Sequence, residues 1–424
     1  MNMRRGQASP RAVLLGAMLF IVAGFLVFFA SPWILPVRIV EGPLVQAAGP
    51  DEVTLVWYTS RPVKPGDCLV TLGAPPDSRD YPAEANDTRQ RVRITGLTAG
   101  TAHPYRIQLG RRTLAEATLR TNRAAGEPFA FIAFGDSGLG TREQYLLAQR
   151  MRSLEFSPDF LLHTGDVVYK RGERNNYEER FFAPYRDLLS QITFWPTLGN
   201  HDVLTDQGDP YLGIFELPHN GPADLQPETN YWFDYGSARI VVLDSTLPEA
   251  TLAEKVAPWL KQTLAAAPAT WKFVVFHHPP YTCGAHPSDE RIQRAIVPAM
   301  EAAGVDLVFC GHDHLYERTH PLRGGQVVPD GTGITYIVTG AGGARLYEAP
   351  PPDQRPAYVA ELDNSQHSFT YVQVDGLELR VRQIGLNGAT IDDWRWSKPR
   401  PPMAQSPQFD SPSSQPAEQP ANQP

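Results

Sequence analysis

Five apolar runs, each ending in glycine, aspartate or histidine, constrain this chain more than any other feature of its 424 residues. "FAFIAF" leads into Gly135-Asp136-Ser137-Gly138, and "FLLHT" into Gly165-Asp166, with Tyr169 close behind. "FWPTL" leads into Gly199-Asn200-His201-Asp202, "KFVVF" into His277-His278, and "DLVFC" into Gly311-His312-Asp313-His314. Between these runs lie longer amphipathic stretches, a pattern that predicts a layered α/β domain. Sites in open α/β sheets form at the carboxyl ends of strands. A glycine before Asp136, Asp166, Asn200 and His312 lets the chain turn sharply, so that the next side chain enters the crevice.

The polar residues at these strand ends make one chemical set. Two aspartates, an asparagine carbonyl, a phenol and three imidazoles offer oxygen and nitrogen, with no thiolate. Such donors suit iron, zinc or manganese. Seven are too many for one tetrahedral ion and suit two ions sharing a bridging carboxylate. Two metals roughly 3.5–4 Å apart can clamp the attacking and leaving oxygens of a phosphoryl displacement.

The rest of the chain divides by texture. Arg4, Arg5 and Arg11 precede or open a stretch, Ala12 to Val37, that holds no charge. Its apolar part, Ala12 to Ala30, is long enough to cross a hydrocarbon layer of roughly 30 Å. Phe28 spoils a small-x-small cleavage site, so residues 1–37 read as a basic stub and an uncleaved transmembrane signal anchor, with the arginines inside and the remainder exported. A long cleaved signal peptide is the alternative and also exports the chain. Residues 38–122 carry short alternating runs such as "VTLVWY", with Val53, Leu55 and Trp57 on one face, and predict a small β-sandwich. Residues 123–396 form the α/β domain. Its helices include one from Thr141, where Thr141 and Gln144 make a capping box, and one over 289–304 that contains Pro298. Residues 397–424 are rich in Pro, Gln and Ser and lack the apolar residues for a core.

The net charge of -8 excludes a nucleic-acid backbone as partner. Cys68, Cys283 and Cys310 form no CxxC pair, which argues against thiolate metal sites. Cys310 reads as a core thiol, and a Cys68–Cys283 disulfide is open in an oxidising compartment.

Taken in order, GDSG, GDVVY, GNHD, VVFHHPPY and GHDHLYER resemble the calcineurin-like metallophosphoesterase superfamily, and within it the purple acid phosphatases. "ITGLTAGTAHPYRI" resembles a fibronectin type III segment, with Leu97 and Tyr105 at its packing positions. The resemblance implies an α/β/β/α metallophosphoesterase sandwich behind a fibronectin type III-like domain. It implies one metal held by Asp136, Asp166, Tyr169 and His314, and another held by Asp166, Asn200, His277 and His312, with Asp166 bridging. His201 would face the phosphate and leaving group, and His286 would be a second substrate-facing histidine. The activity implied is hydrolysis of small phosphomonoesters by a metal-bound hydroxide. The ions would be Fe(3+) with Fe(2+), Zn(2+) or Mn(2+), since a Tyr169 phenolate favours a hard, highly charged ion. A phosphodiesterase or nucleotidase on the same metals is the alternative enzyme, and a non-catalytic surface-binding protein the alternative from another class. Catalysis would take place outside the cytoplasm, in a periplasm or at a cell surface.

His163, His219 and His367 read as core or surface histidines, and His278 as a support for the site. Asp202 and Asp313 read as local hydrogen-bonding residues, Asp244 as structural, and Tyr316-Glu317-Arg318 as a supporting salt-bridge segment.

Overall fold

The computed structural model describes residues 35–399. The anchor expected over 12–30 and nearly all of the Pro/Gln/Ser tail lie outside the described residues. Among the described residues, no helix is long and apolar enough to cross a membrane. Two residues assigned to the tail are part of the fold instead. Ser397 ends the last strand, and Lys398 pairs with Asp306 at 2.7 Å beneath the rings of Trp271 and Trp396.

Eight strands come first: β1 (Ile39–Gln46), β2 (Glu52–Thr59), β3 (Cys68–Leu72), β4 (Arg79–Pro82), β5 (Glu84–Asn86), β6 (Arg89–Thr95), β7 (Ala102–Leu109) and β8 (Arg112–Arg120). They form two four-stranded sheets, ordered β1-β2-β6-β5 and β4-β3-β7-β8. Val53, Leu55 and Trp57 enter the core between them, as the period-two pattern of β2 requires. The opposite face of β2 is buried too, because Val56 and Tyr58, with Leu44 of β1, join the core of the α/β domain. Polar contacts hold this junction. Gln46 donates to Phe194 O at 2.7 Å and accepts from the Glu216 N–H, while Tyr58 and Tyr105 donate to Gly213 O and Ser190 O. Cys68 is buried in the sandwich, Cys283 lies on a loop of the α/β domain, and all three cysteines are free.

The α/β part has two facing sheets. One contains β9 (Phe129–Phe134), β10 (Phe160–His163) and β11 (Thr193–Pro196). The other is built on β12 (Tyr231–Tyr235), β13 (Ala238–Val242), β14 (Trp271–Val275), β15 (Leu307–Cys310) and β16 (Tyr316–Thr319). After a small hairpin of β17 (Leu322–Arg323) and β18 (Gln326–Val327), β19 (Thr335–Thr339) and β20 (Val359–Asp363) join the second sheet. Strands β21 (Ser368–Asp375), β22 (Glu378–Gly385) and β23 (Thr390–Ser397) complete the first. The orders are β11-β10-β9-β21-β22-β23 and β12-β13-β14-β15-β19-β16-β20.

Continuous apolar runs are required here because both faces of these strands are covered. On β9, Phe131 stacks on Phe160 and meets Phe273 and Phe309 between the sheets, while Phe134 packs outward against Tyr185 and Phe194. Helix Arg142–Arg152 starts at Thr141, whose hydroxyl accepts the Gln144 N–H, and buries Leu147 and Met151. The segment after Asp289 is two helices, Glu290–Ala295 and Val297–Ala303, with Pro298 in the first turn of the second. A proline there needs no N–H partner, so the break costs little.

Parallel register aligns the functional ends. Phe134, His163 and Pro196 lie level across β9, β10 and β11. Val242, Val275 and Phe309 lie level across β13, β14 and β15. The loops that follow emerge at one edge of the two sheets.

Candidate metal centre

The chain turns abruptly as it leaves these strands. Asp136, Asp166 and His312 take left-handed backbone angles, φ 55°, 56° and 71°. Such angles are costly for residues with a Cβ and cluster at functional sites. The backbones also approach closely. A Cβ on Gly199 would collide with the Asp166 carboxylate, and one on Gly311 with the Asp136 carboxylate.

The seven residues singled out in the sequence gather in two adjoining groups. In the first, the Tyr169 hydroxyl donates to Asp136 Oδ1 at 3.1 Å and lies 2.9 Å from His314 Nε2, which is 3.5 Å from Asp136. In the second, His277 Nε2 is 3.6 Å from Asp166 Oδ2 and 3.0 Å from Asn200 Oδ1, and His312 Nδ1 is 3.0 Å from the same amide oxygen. Donor atoms of Asp136, Asp166 and His277 all lie within 4.8 Å of one another, which joins the groups.

Outer hydrogen bonds orient the donors. His277 Nδ1 faces Thr164 O at 2.8 Å, and His314 Nδ1 faces Arg345 O at 2.7 Å. Each ring therefore turns Nε2 inward, the arrangement that metal-binding histidines use. Asp202, fully buried, accepts the N–H groups of Val167 and Gly199 at 3.0 and 2.9 Å and ties the two donor loops together.

Charge in this site is unbalanced without a cation. Burial alone would raise Asp136, but the hydrogen bond from His314 and the charge of His277 hold it below the usual carboxylate range. Burial alone would lower His277 and His314, yet Asp166 and Asp136 raise the first, and Asp136 raises the second. Burial, then Asp136 and Asp166, pushes the Tyr169 phenol well above its ordinary value. The carboxylates thus favour positive charge at His277 and His314, a place that cations would take, and a strong cation would be needed to make a phenolate of Tyr169. The residues fit a dinuclear oxygen/nitrogen centre.

His201 borders the site. Its N–H donates to Asp166 Oδ1 at 2.9 Å, its Nδ1 lies 2.6 Å from Lys170 O, and Nε2 is 3.9 Å from Asp166 Oδ2. His286 reaches the other side, its ring 4.1 Å from that of His312. Two more neighbours stand at the centre, His278, read from the sequence as a support for the site, and Tyr347, which the sequence reading missed. His278 brings a nitrogen within 4.8 Å of those of His277 and His312, and only its adjacency to His277 hints at this. Tyr347 stacks on His314 at 4.0 Å and faces His286 at 5.3 Å, and no motif marks it.

The remaining polar residues sort themselves by packing. His163 is enclosed and bonds Ser137, while His219 pairs with Glu228. His367 bonds Ala341 O, and Asp244 accepts from Thr246. Arg318 pairs with Asp392 at 2.6 Å, whereas Glu317 has no cationic partner among the described residues and accepts the Cys283 N–H instead.

Residues 129–316 match the calcineurin-like phosphoesterase family. This part of the chain is a calcineurin-like phosphoesterase domain, and the protein is a metal-dependent phosphoesterase. More narrowly, its relatives include purple acid phosphatases and tartrate-resistant acid phosphatases. It is 24% identical over 301 residues to human tartrate-resistant acid phosphatase type 5, covering 62% of this chain and 88% of that one. It is 23% identical over 295 residues to purple acid phosphatase 3 of Arabidopsis thaliana, covering 63% and 77%. Its fold is similar to that of a purple acid phosphatase from yellow lupin seeds, with TM-score 0.72, 18% identity, and 86% and 75% of the two chains covered. The preceding all-β module is consistent with a fibronectin type III-like domain.

Proposed function

We propose that this protein is an exported acid phosphatase that hydrolyses phosphomonoesters at a dinuclear centre. The observation that carries the reading is the meeting of seven oxygen and nitrogen donors from five strand ends, with outer hydrogen bonds orienting His277 and His314. Asp136, Asp166, Tyr169 and His314 would hold one ion, and Asp166, Asn200, His277 and His312 the other. The phenol beside two carboxylates favours Fe(3+) in the first position, with Fe(2+), Zn(2+) or Mn(2+) in the second. When bound, such ions activate water and neutralise phosphoryl charge.

The chain's own groups do the rest. His201 keeps Nδ1 on Lys170 O and presents Nε2 to the leaving oxygen, where a positioned acid contributes typically 10²–10⁴-fold. His286 contacts a phosphoryl oxygen from the opposite side. Asp202 holds the Asp166 and Asn200 loops at fixed separation. The charge-free stretch before Arg38 would anchor the protein with this site outside the cytoplasm.

Metal content and a visible spectrum of the purified protein, with turnover of p-nitrophenyl phosphate against its bis ester, test the proposal. Two ions per chain, an iron chromophore and preference for the monoester are expected. Turnover of the diester alone would transfer the reading to a phosphodiesterase.

A further inference from the structure

Two enclosed carboxyl groups, Asp313 and Glu317, fasten the loop that carries His286. Asp313 Oδ1 accepts the His286 N–H at 2.9 Å, and Oδ2 accepts the Thr282 hydroxyl at 2.6 Å. Glu317 Oε2 accepts the Cys283 N–H at 3.0 Å and lies 3.3 Å from the same hydroxyl. Tyr358 closes the base of the loop on Thr282 O at 2.9 Å. Gly284 passes so near that a Cβ would lie 2.6 Å from Asp313 Cγ. Asp313 and Glu317 are both fully enclosed.

Taking carboxyl groups out of water costs stability, and apolar packing would brace a loop at less expense. Their placement therefore points to a second purpose. Asp313 stands between His312 and His314, which supply donors to the two halves of the metal centre. The same residue sets the height of His286. The Nδ1 of His286 is buried without a hydrogen-bond partner and lies 4.0 Å from Asp313 Oδ1.

We propose that Asp313 is a positioning residue for His286, registering it against the metal centre from within the segment that supplies the donors. The bond to the backbone N–H holds the loop down. Oδ1 also stands against the Nδ1 edge of the ring, 4.0 Å away and beyond hydrogen-bond reach. Glu317 secures the start of the loop through Cys283. The proposal rests on the reading above that His286 faces the substrate.

A double-mutant cycle separates the two ideas. Wild type, His286→Ala, Asp313→Ala and the double variant are loaded with metal. Their kcat and KM for p-nitrophenyl phosphate and their Kd for inorganic phosphate by calorimetry are measured alongside metal content. Each single variant should lose about 10²-fold in kcat/KM, within the range of one positioned acid–base group. Phosphate affinity should weaken in parallel, the double variant should be no worse than the poorer single one, and all four should hold the same metal. Asp313→Asn, which keeps an oxygen for the His286 N–H, should recover part of the loss and serves where the alanine variant does not fold. Losses that multiply in the double variant, or loss of metal from both Asp313 variants, overturn the proposal. An impaired His286→Ala beside Asp313 variants of wild-type activity sinks the positioning role alone. A His286→Ala protein with wild-type turnover and phosphate affinity sinks the substrate-facing reading, and the proposal with it.

Discussion

Replacing Tyr169 with Phe deletes one oxygen and keeps the ring, which makes it the sharpest test of the centre. The Tyr169 hydroxyl donates to Asp136 and lies against His314, and the residue is 4% exposed. The ring contact with His201, 4.5 Å between centroids, survives the change. Asp136 also keeps the N–H of His312, so it is not left without a donor. The loss is therefore near one hydrogen bond with charged partners, about 1–3 kcal/mol. At about 2–4 °C per kcal/mol, even the upper figure lowers Tm by about 12 °C at most, within reach of scanning calorimetry. The metal-loaded variant should lose its visible charge-transfer band before it loses all p-nitrophenyl phosphate turnover. A band that persists in Tyr169→Phe would place the chromophore elsewhere. A wild-type enzyme that is colourless, iron-free and fully active would refute the iron assignment.

Other perturbations follow from buried polar groups. Asp202→Ala strands the N–H groups of Val167, Val168 and Gly199, and should cost about 3–5 kcal/mol in urea unfolding and lower metal content; a change under about 1 kcal/mol would contradict it. Burial raises Glu317 to about 7. A carboxyl raised in the folded state holds its proton longer than in the unfolded chain, so its penalty is absent below about pH 4.5 and grows to about 3 kcal/mol above pH 7. Metal-free Glu317→Gln should match wild type at pH 4.5 and exceed it at pH 8; no gain at pH 8 would count against a raised Glu317. Gln46→Ala leaves Phe194 O and the Glu216 N–H without partners across the junction and should cost about 2–4 kcal/mol in calorimetry, while wild type melts in one transition.

The strand ends are legible because their chemistry is local. An apolar run, a glycine and a donor must be adjacent in sequence for a strand to finish in a sharp turn. For that reason Asp136, Asp166, Asn200 and His312 stand out from the order of residues alone. The second buried face of β2 is not legible in this way. Val56 and Tyr58 occupy the positions of a solvated face, and only the α/β domain lying against them explains their burial. Tyr347 lies in a stretch with no motif, and the motif that contains Glu317 says nothing of its partners, which belong to another loop. The boundary expected at residue 397 falls too early for a similar reason: Lys398 is held by Asp306, which no local pattern connects to it.

By itself the amino-acid sequence determined the donor types, their order and the layered α/β class, since each depends on neighbours along the chain. Tertiary structure decided which donors meet, which ring nitrogen each histidine offers, and which charges oppose one another. Those outcomes depend on distances between residues far apart in the chain, such as the His312 N–H on Asp136, 176 positions away. Burial then sets their charge states, because removal from water makes an unbalanced carboxylate or phenol seek a proton or a cation. That balance exists only once packing has placed the groups together.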